Sequence, residues 1–152
     1  MSLKNYTSSV SASRSISYIE EKLVQHGAKQ ILKLYDGKQR VSGICFIMLY
    51  EGAEIPYKLP ARLPECEKIL RQNLSSRTRP ETIQKLGEQA ERTAWKILLD
   101  WVDAQMALIE LSQVEMMEVF LPYVYDYQKR QTYFEALKEK GFKALLPAGK
   151  TT

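Results

Sequence analysis

Residues 81–111 read ETIQKLGEQAERTAWKILLDWVDAQMALIEL. Apart from Gly87 this stretch has no Gly or Pro. Ile83, Leu86, Ala90, Ala94, Ile97, Trp101, Ala104 and Leu108 recur every three or four residues, the spacing of one helix face. A second stripe, Trp95, Leu98, Leu99, Val102, Met106 and Ile109, joins it in the C-terminal half. A helix that is apolar on most sides must be buried on most sides. The spacing therefore predicts one long central helix from Glu81 to Leu111, with Trp95, Ile97, Leu98, Trp101 and Leu108 mostly buried.

Upstream, residues 4–12 are rich in Ser and Thr and read as an extended arm, and residues 1–3 are expected to be foreign to the natural chain. Ser11 or Ser13 can cap a first helix carrying Ile16, Ile19 and Leu23, which Gly27 stops. Three strand-like runs follow: Gln30–Tyr35, Arg40–Tyr50 and Glu54–Leu59. Asp36-Gly37 and Glu51-Gly52-Ala53 turn the chain between them, so the runs form an antiparallel meander. Pro56 lacks an N–H, which assigns the third strand to an edge. The second run is apolar on both faces, so helices are expected over both sides of the sheet, or another molecule over one.

Pro64 suits the first turn of a helix running to about Leu74, and Ser75–Pro80 is a basic linker. Ser112 and Glu115 have capping-box spacing ahead of a short helix ended by Pro122. Tyr123, Tyr125 and Tyr127 fall in a loop, and Thr132–Lys140 forms a last helix stopped by Gly141. The sum is an α+β fold: a three-stranded antiparallel meander packed with about five helices. It forms a single domain over residues 13–149 behind an arm over residues 1–12.

At 152 residues the chain can bury a core without staples. Its two cysteines, Cys45 and Cys66, give no disulfide framework, and a cytoplasmic setting is expected. Cys45 lies in an apolar run, whereas Cys66 lies in a first helical turn, where the dipole can lower a thiol pKa. No run approaches the ~18 apolar residues of a membrane span.

Catalytic signals are weak. His26 is the only histidine and sits at a helix stop, where a cation complements the dipole. No phosphate loop, nucleophile elbow or metal-ligand cluster is legible, so no catalytic residue, metal, cofactor or small-molecule substrate is assigned. Asp100 and Asp103 lie one helical turn apart. A metal-dependent phosphodiesterase using this pair is the third functional option, against the plainer reading of a polar stripe facing water or of partners for nearby basic groups.

The basic stretch is a better clue. Lys58, Arg62, Lys68, Arg71, Arg77, Arg79 and Lys85 face only Glu65, Glu67 and Glu81 in the same segment. The net charge is +4 and the pI about 9.0. Cationic side chains neutralise phosphates and release counterions without reading sequence. The leading expectation is a non-enzymatic accessory protein that binds DNA or RNA through Arg62, Arg71, Arg77, Arg79 and Lys85. Tyr57 is its stacking partner, with Tyr35 and Tyr50 nearby on the sheet. The alternative is a protein-interaction module that uses no nucleic acid. A homodimer is expected in either case, closed along Trp95, Leu99, Val102 and Met106.

Several segments together resemble a group of short bacterial proteins found in prophages and mobile elements, to which no activity is assigned. They are Tyr6–Val10, Arg14–Ile16, Leu59-Pro60-Ala61, Ala94–Ile97, Asp100–Gln105, Ala107–Glu110 and Phe120–Tyr123. The resemblance implies a setting in phage or mobile-element DNA metabolism and transfers no catalytic residue.

Overall fold

A computed structural model describes residues 2–148, so the expected domain end at residue 149 lies outside the described residues. The fold is α+β, with a three-stranded antiparallel sheet in the order β1 (Gln30–Tyr35), β2 (Val41–Tyr50), β3 (Ala53–Pro60). Six α-helices surround it among the described residues: α1 (Ala12–Gln25), α2 (Leu63–Gln72), α3 (Pro80–Gln84), α4 (Leu86–Glu110), α5 (Met116–Phe120) and α6 (Tyr133–Glu139). A small hairpin, β4 (Tyr125–Asp126) and β5 (Gln131–Thr132), precedes α6. The tyrosine segment is thus partly sheet, where a loop was expected.

Local chemistry sets the boundaries. The Ser11 hydroxyl accepts from the Arg14 N–H at 3.2 Å and caps α1. Gly27 takes φ +103° just beyond it, and the His26 Nδ1 sits 2.8 Å from the Lys22 carbonyl oxygen. Pro64 stands in the first turn of α2. The expected capping box is displaced by one turn: Glu115 caps α5 with Glu118 as its partner, while Ser112 adopts φ +58° in the preceding turn.

The central helix is interrupted. Lys85, at φ −93° and ψ 9°, separates α3 from α4. A continuous helix would place Ile83 and Leu86 on one face; instead Leu86 is buried and Ile83 is 42 % exposed. Gly87, a poor helix former, is the second residue of α4.

The core joins Ile16, Ile19 and Leu23 of α1, Ile44, Phe46 and Met48 of β2, Tyr57 and Leu59 of β3, and Trp95, Val102 and Met106 of α4. Helices α1 and α2 both pack along α4. Trp95, Val102 and Met106 are therefore buried within one chain. Three of the four residues along which the homodimer was expected to close are thus enclosed within the chain, and Leu99 is half-buried. Ile97, Leu98, Trp101 and Leu108 are half-buried rather than fully enclosed. Trp101 meets Phe120 in a T-shaped pair and Tyr123 at a tilt, with ring centroids 5.6 and 5.7 Å away.

Strand β3 is an edge of the sheet, with a single further bridge from Tyr57 to Val124. Alternate residues of β2 face opposite sides. Ile44, Phe46 and Met48 face the helical core. The opposite face is covered at one end only, a correction to the expectation of helices over both sides. There Tyr127 meets the buried Cys45, and the Lys58 ammonium lies 5.1 Å above the Tyr125 ring. Leu32 and Leu49 on that face remain 54 % and 50 % exposed.

Candidate nucleic-acid interface

The arm folds back on the long helix rather than running free. Asn5, at φ +61°, bends it. The Asn5 side-chain amide donates to Asp100 at 2.9 Å, and the Asn5 backbone carbonyl accepts from the buried Thr93 hydroxyl at 3.0 Å. Gln89 Nε2 and Arg92 Nε both donate to the Ser8 carbonyl at 3.2 Å. These hydrogen bonds pin Tyr6 and Thr7 beside the start of α4.

The α2–α3 linker faces the same end. Thr78 Oγ1 accepts from the Ser75 N–H at 2.9 Å, and Ser75 Oγ accepts from the Arg77 N–H at 3.3 Å. This side-chain-braced turn holds Arg77 at the surface. Arg79 is extended, as a residue before proline must be, and leads into α3. The arm, the C-terminal end of α2, α3 and the start of α4 together line a groove of about 630 Å³. Leu70, Leu74 and Leu86 form its apolar floor, Tyr6 and Thr7 one wall, and Asn73, Thr82, Lys85, Gln89 and Arg92 its polar border.

The sequence-assigned basic residues are all exposed but do not converge. Arg62 caps the far end of α2 in the left-handed region, with its guanidinium 4.0 Å from Glu65. The ten residues of α2 place it ~15 Å from the Arg71 end. Arg62 instead borders a second cavity, about 440 Å³, with Lys58 and Glu135. The Thr132 backbone N–H holds the Glu135 carboxyl low against opposing burial, helped by the charges of Lys58 and Arg62. Arg71 is paired with Glu67 at 3.3 Å. Among the described residues, Arg77, Arg79 and Lys85 have no carboxylate within 4.0 Å.

Tyr57 is corrected as a stacking residue. Its ring is buried and stacked on Phe46 with centroids 5.0 Å apart, and its hydroxyl donates to Met117 Sδ at 3.7 Å. Its aromatic character serves the core because the inner face of β3 is roofed by Phe120. Tyr35 and Tyr50 are exposed, yet neither lines the groove. Tyr6, Gln89 and Arg92 do, and the sequence reading overlooked them. Lys85, Gln89 and Arg92 stand at i, i+4 and i+7, so their common face was legible; the folded arm was not.

The two aspartates are drawn to different partners. Asp100 is held by Asn5, by Lys96 at 2.5 Å and by Lys4 at 3.5 Å. Asp103 pairs with Lys22 on α1 at 3.4 Å. Burial acts to raise the Asp100 carboxyl, but hydrogen bonds from Lys96 and Asn5 and the Lys96 charge outweigh it and hold it below the usual aspartate range. Each carboxylate thus anchors another part of the chain, and no group of three or more His, Cys, Asp or Glu among the described residues could hold a metal ion. Burial pushes both thiols up: Cys66 against a backbone hydrogen bond with Ala94, and Cys45 against the charge of Lys58. For Cys66, burial overrides the helix-dipole effect considered from sequence.

No helix among the described residues is long and apolar enough to cross a membrane. No protein-family model, curated protein or solved structure matches the chain.

Proposed function

We propose that this protein is a non-enzymatic, cytoplasmic accessory protein that binds nucleic acid through backbone phosphates at the α2–α4 end. The observation that carries this reading is the set of exposed cations with no carboxylate partner among the described residues: Lys85, which lines the groove, and Arg77 and Arg79 on the linker that leads into α3. A cation already paired loses that partner when it meets phosphate; an unpaired one exchanges only counterions. Arg71 and Arg62, each beside a glutamate, contribute less in this scheme. The mobile-element setting rests on the resemblance of the named segments alone. The test is fluorescence anisotropy of labelled oligonucleotides over a salt series. Binding that weakens steeply with salt, and weakens again in the Arg77→Ala/Arg79→Ala variant, supports the proposal. No binding at low salt overturns it.

The open sheet face favours a second reading, a protein-interaction module. Leu32 and Leu49, with Ile47 and Pro56 on the same side, leave apolar surface beside the Tyr127 cover. A homodimer, if formed, would close here rather than along α4. Sedimentation velocity tests it: a concentration-independent species of 17.6 kDa removes the dimer.

A further inference from the structure

We infer that the groove between the arm and α4 receives an unpaired nucleobase, so that the ligand is single-stranded nucleic acid. The inference rests on the proposed phosphate interface and adds what that interface selects. Phosphate contacts alone do not require an unpaired base, since a single strand and a duplex both present phosphates. The groove does. Its floor is apolar, from Leu70, Leu74 and Leu86, and its volume of about 630 Å³ leaves ample room for one base. The Tyr6 ring, 47 % exposed, stands in its wall as a stacking platform. Asn73 at its border carries an amide that can donate to or accept from a base edge.

The cations are placed for the rest of such a strand. Lys85 lines the groove, and Arg77 and Arg79 stand on the linker that runs into α3. A base entering between Tyr6 and the leucine floor brings its own phosphate to this border. In a duplex the base is stacked and paired, and reaching the groove would require flipping it out at a cost of a few kcal/mol. Stacking on an exposed aromatic ring is tolerant of base identity, so little sequence preference is expected.

The experiment compares three labelled probes of equal length: oligothymidine, a duplex of mixed sequence, and an abasic strand that keeps the phosphates without the bases. The expected order is oligothymidine tightest, with the abasic strand weaker by about ten-fold or more, the range for removing one stacked base. Tyr6→Ala is expected to weaken oligothymidine binding by a similar factor while leaving abasic binding unchanged, and Tyr6→Phe to restore it. Equal affinity for oligothymidine, abasic strand and duplex overturns the base pocket while leaving the phosphate interface standing. Binding of none of the three at low salt overturns both. The abasic comparison uses the unmodified protein, so it decides the matter even if Tyr6→Ala unfolds the arm.

Discussion

The indole Nε1 of Trp95 donates to the backbone carbonyl of Val41 at 3.0 Å, joining the long helix to the first residue of the central strand. Trp95 is wholly buried, so this bond is made out of reach of water and also satisfies the one polar atom of the largest core side chain.

Replacing Trp95 by Ala should therefore cost roughly 3–5 kcal/mol, the range for a large aromatic in a packed core. Trp101→Ala should cost less, about 1–3 kcal/mol, because Trp101 is only half-buried. Urea unfolding of both variants checks the order; an equal or larger loss at Trp101 would contradict the assigned core.

Gly43 is the glycine that the sheet requires. A Cβ there would stand 3.1 Å from the Leu59 carbonyl oxygen and 3.6 Å from the Pro60 Cα, both backbone atoms. Gly43→Ala should destabilise by about 1–3 kcal/mol through overpacking. Gly37→Ala, whose Cβ would meet nothing within 4 Å, should stay within about 0.5 kcal/mol. Thermal melts followed by circular dichroism separate the two.

Acid should loosen the arm. The Asp100 carboxyl is held below its ordinary value in the folded chain, so the folded state binds its proton less readily than the unfolded state. Its stabilising effect is complete above the ordinary aspartate pKa of about 3.9 and is lost as pH falls through the lower folded value. Asp100→Asn should lose stability at neutral pH and flatten the acid limb of the stability curve. The limb should not vanish, because Asp36 and Glu135 are lowered in the same direction, mainly by the backbone N–H groups of Arg40 and Thr132. An acid limb identical to that of the parent protein would exclude the link between arm and Asp100 as its source.

The Arg77→Ala/Arg79→Ala variant should change salt dependence as well as affinity. Each phosphate of a single strand that the protein no longer neutralises reduces the slope of log affinity against log salt by about 0.7, so the pair should reduce it by about 1.4. Arg62→Ala, at the end of α2 opposite the linker and ~15 Å from the Arg71 end, should leave the slope nearly unchanged. If Arg62→Ala matches the double variant, the interface lies on the other side of α2.

The open sheet face gives a separate expectation. Leu32→Lys/Leu49→Lys places two charges at half-exposed positions and should leave stability nearly intact. Any self-association through this face should disappear in sedimentation velocity, and oligonucleotide binding should not change.

What the sequence determined by itself was periodic and local. Alternation and turn residues placed β1, β2 and β3 nearly to the residue, since strand pairing across two tight turns leaves little choice of register. The spacing of Ile16, Ile19 and Leu23 marked the buried side of α1, because a helix repeats every 3.6 residues wherever it lies; on α4, of the residues expected to be mostly buried, Trp95 is fully enclosed and Ile97, Leu98, Trp101 and Leu108 only half. Only the tertiary structure decided which cations stand apart from carboxylates, that Tyr57 faces inward and that Tyr6 lines a groove. Those outcomes depend on pairings between residues far apart in the chain, such as Asn5 with Asp100 and Tyr57 with Phe120. No local pattern carries them: a tyrosine in a strand alternates correctly whichever face the helices cover, and an arm of Ser and Thr shows its docking site only once Thr93 and Gln89 are presented to it.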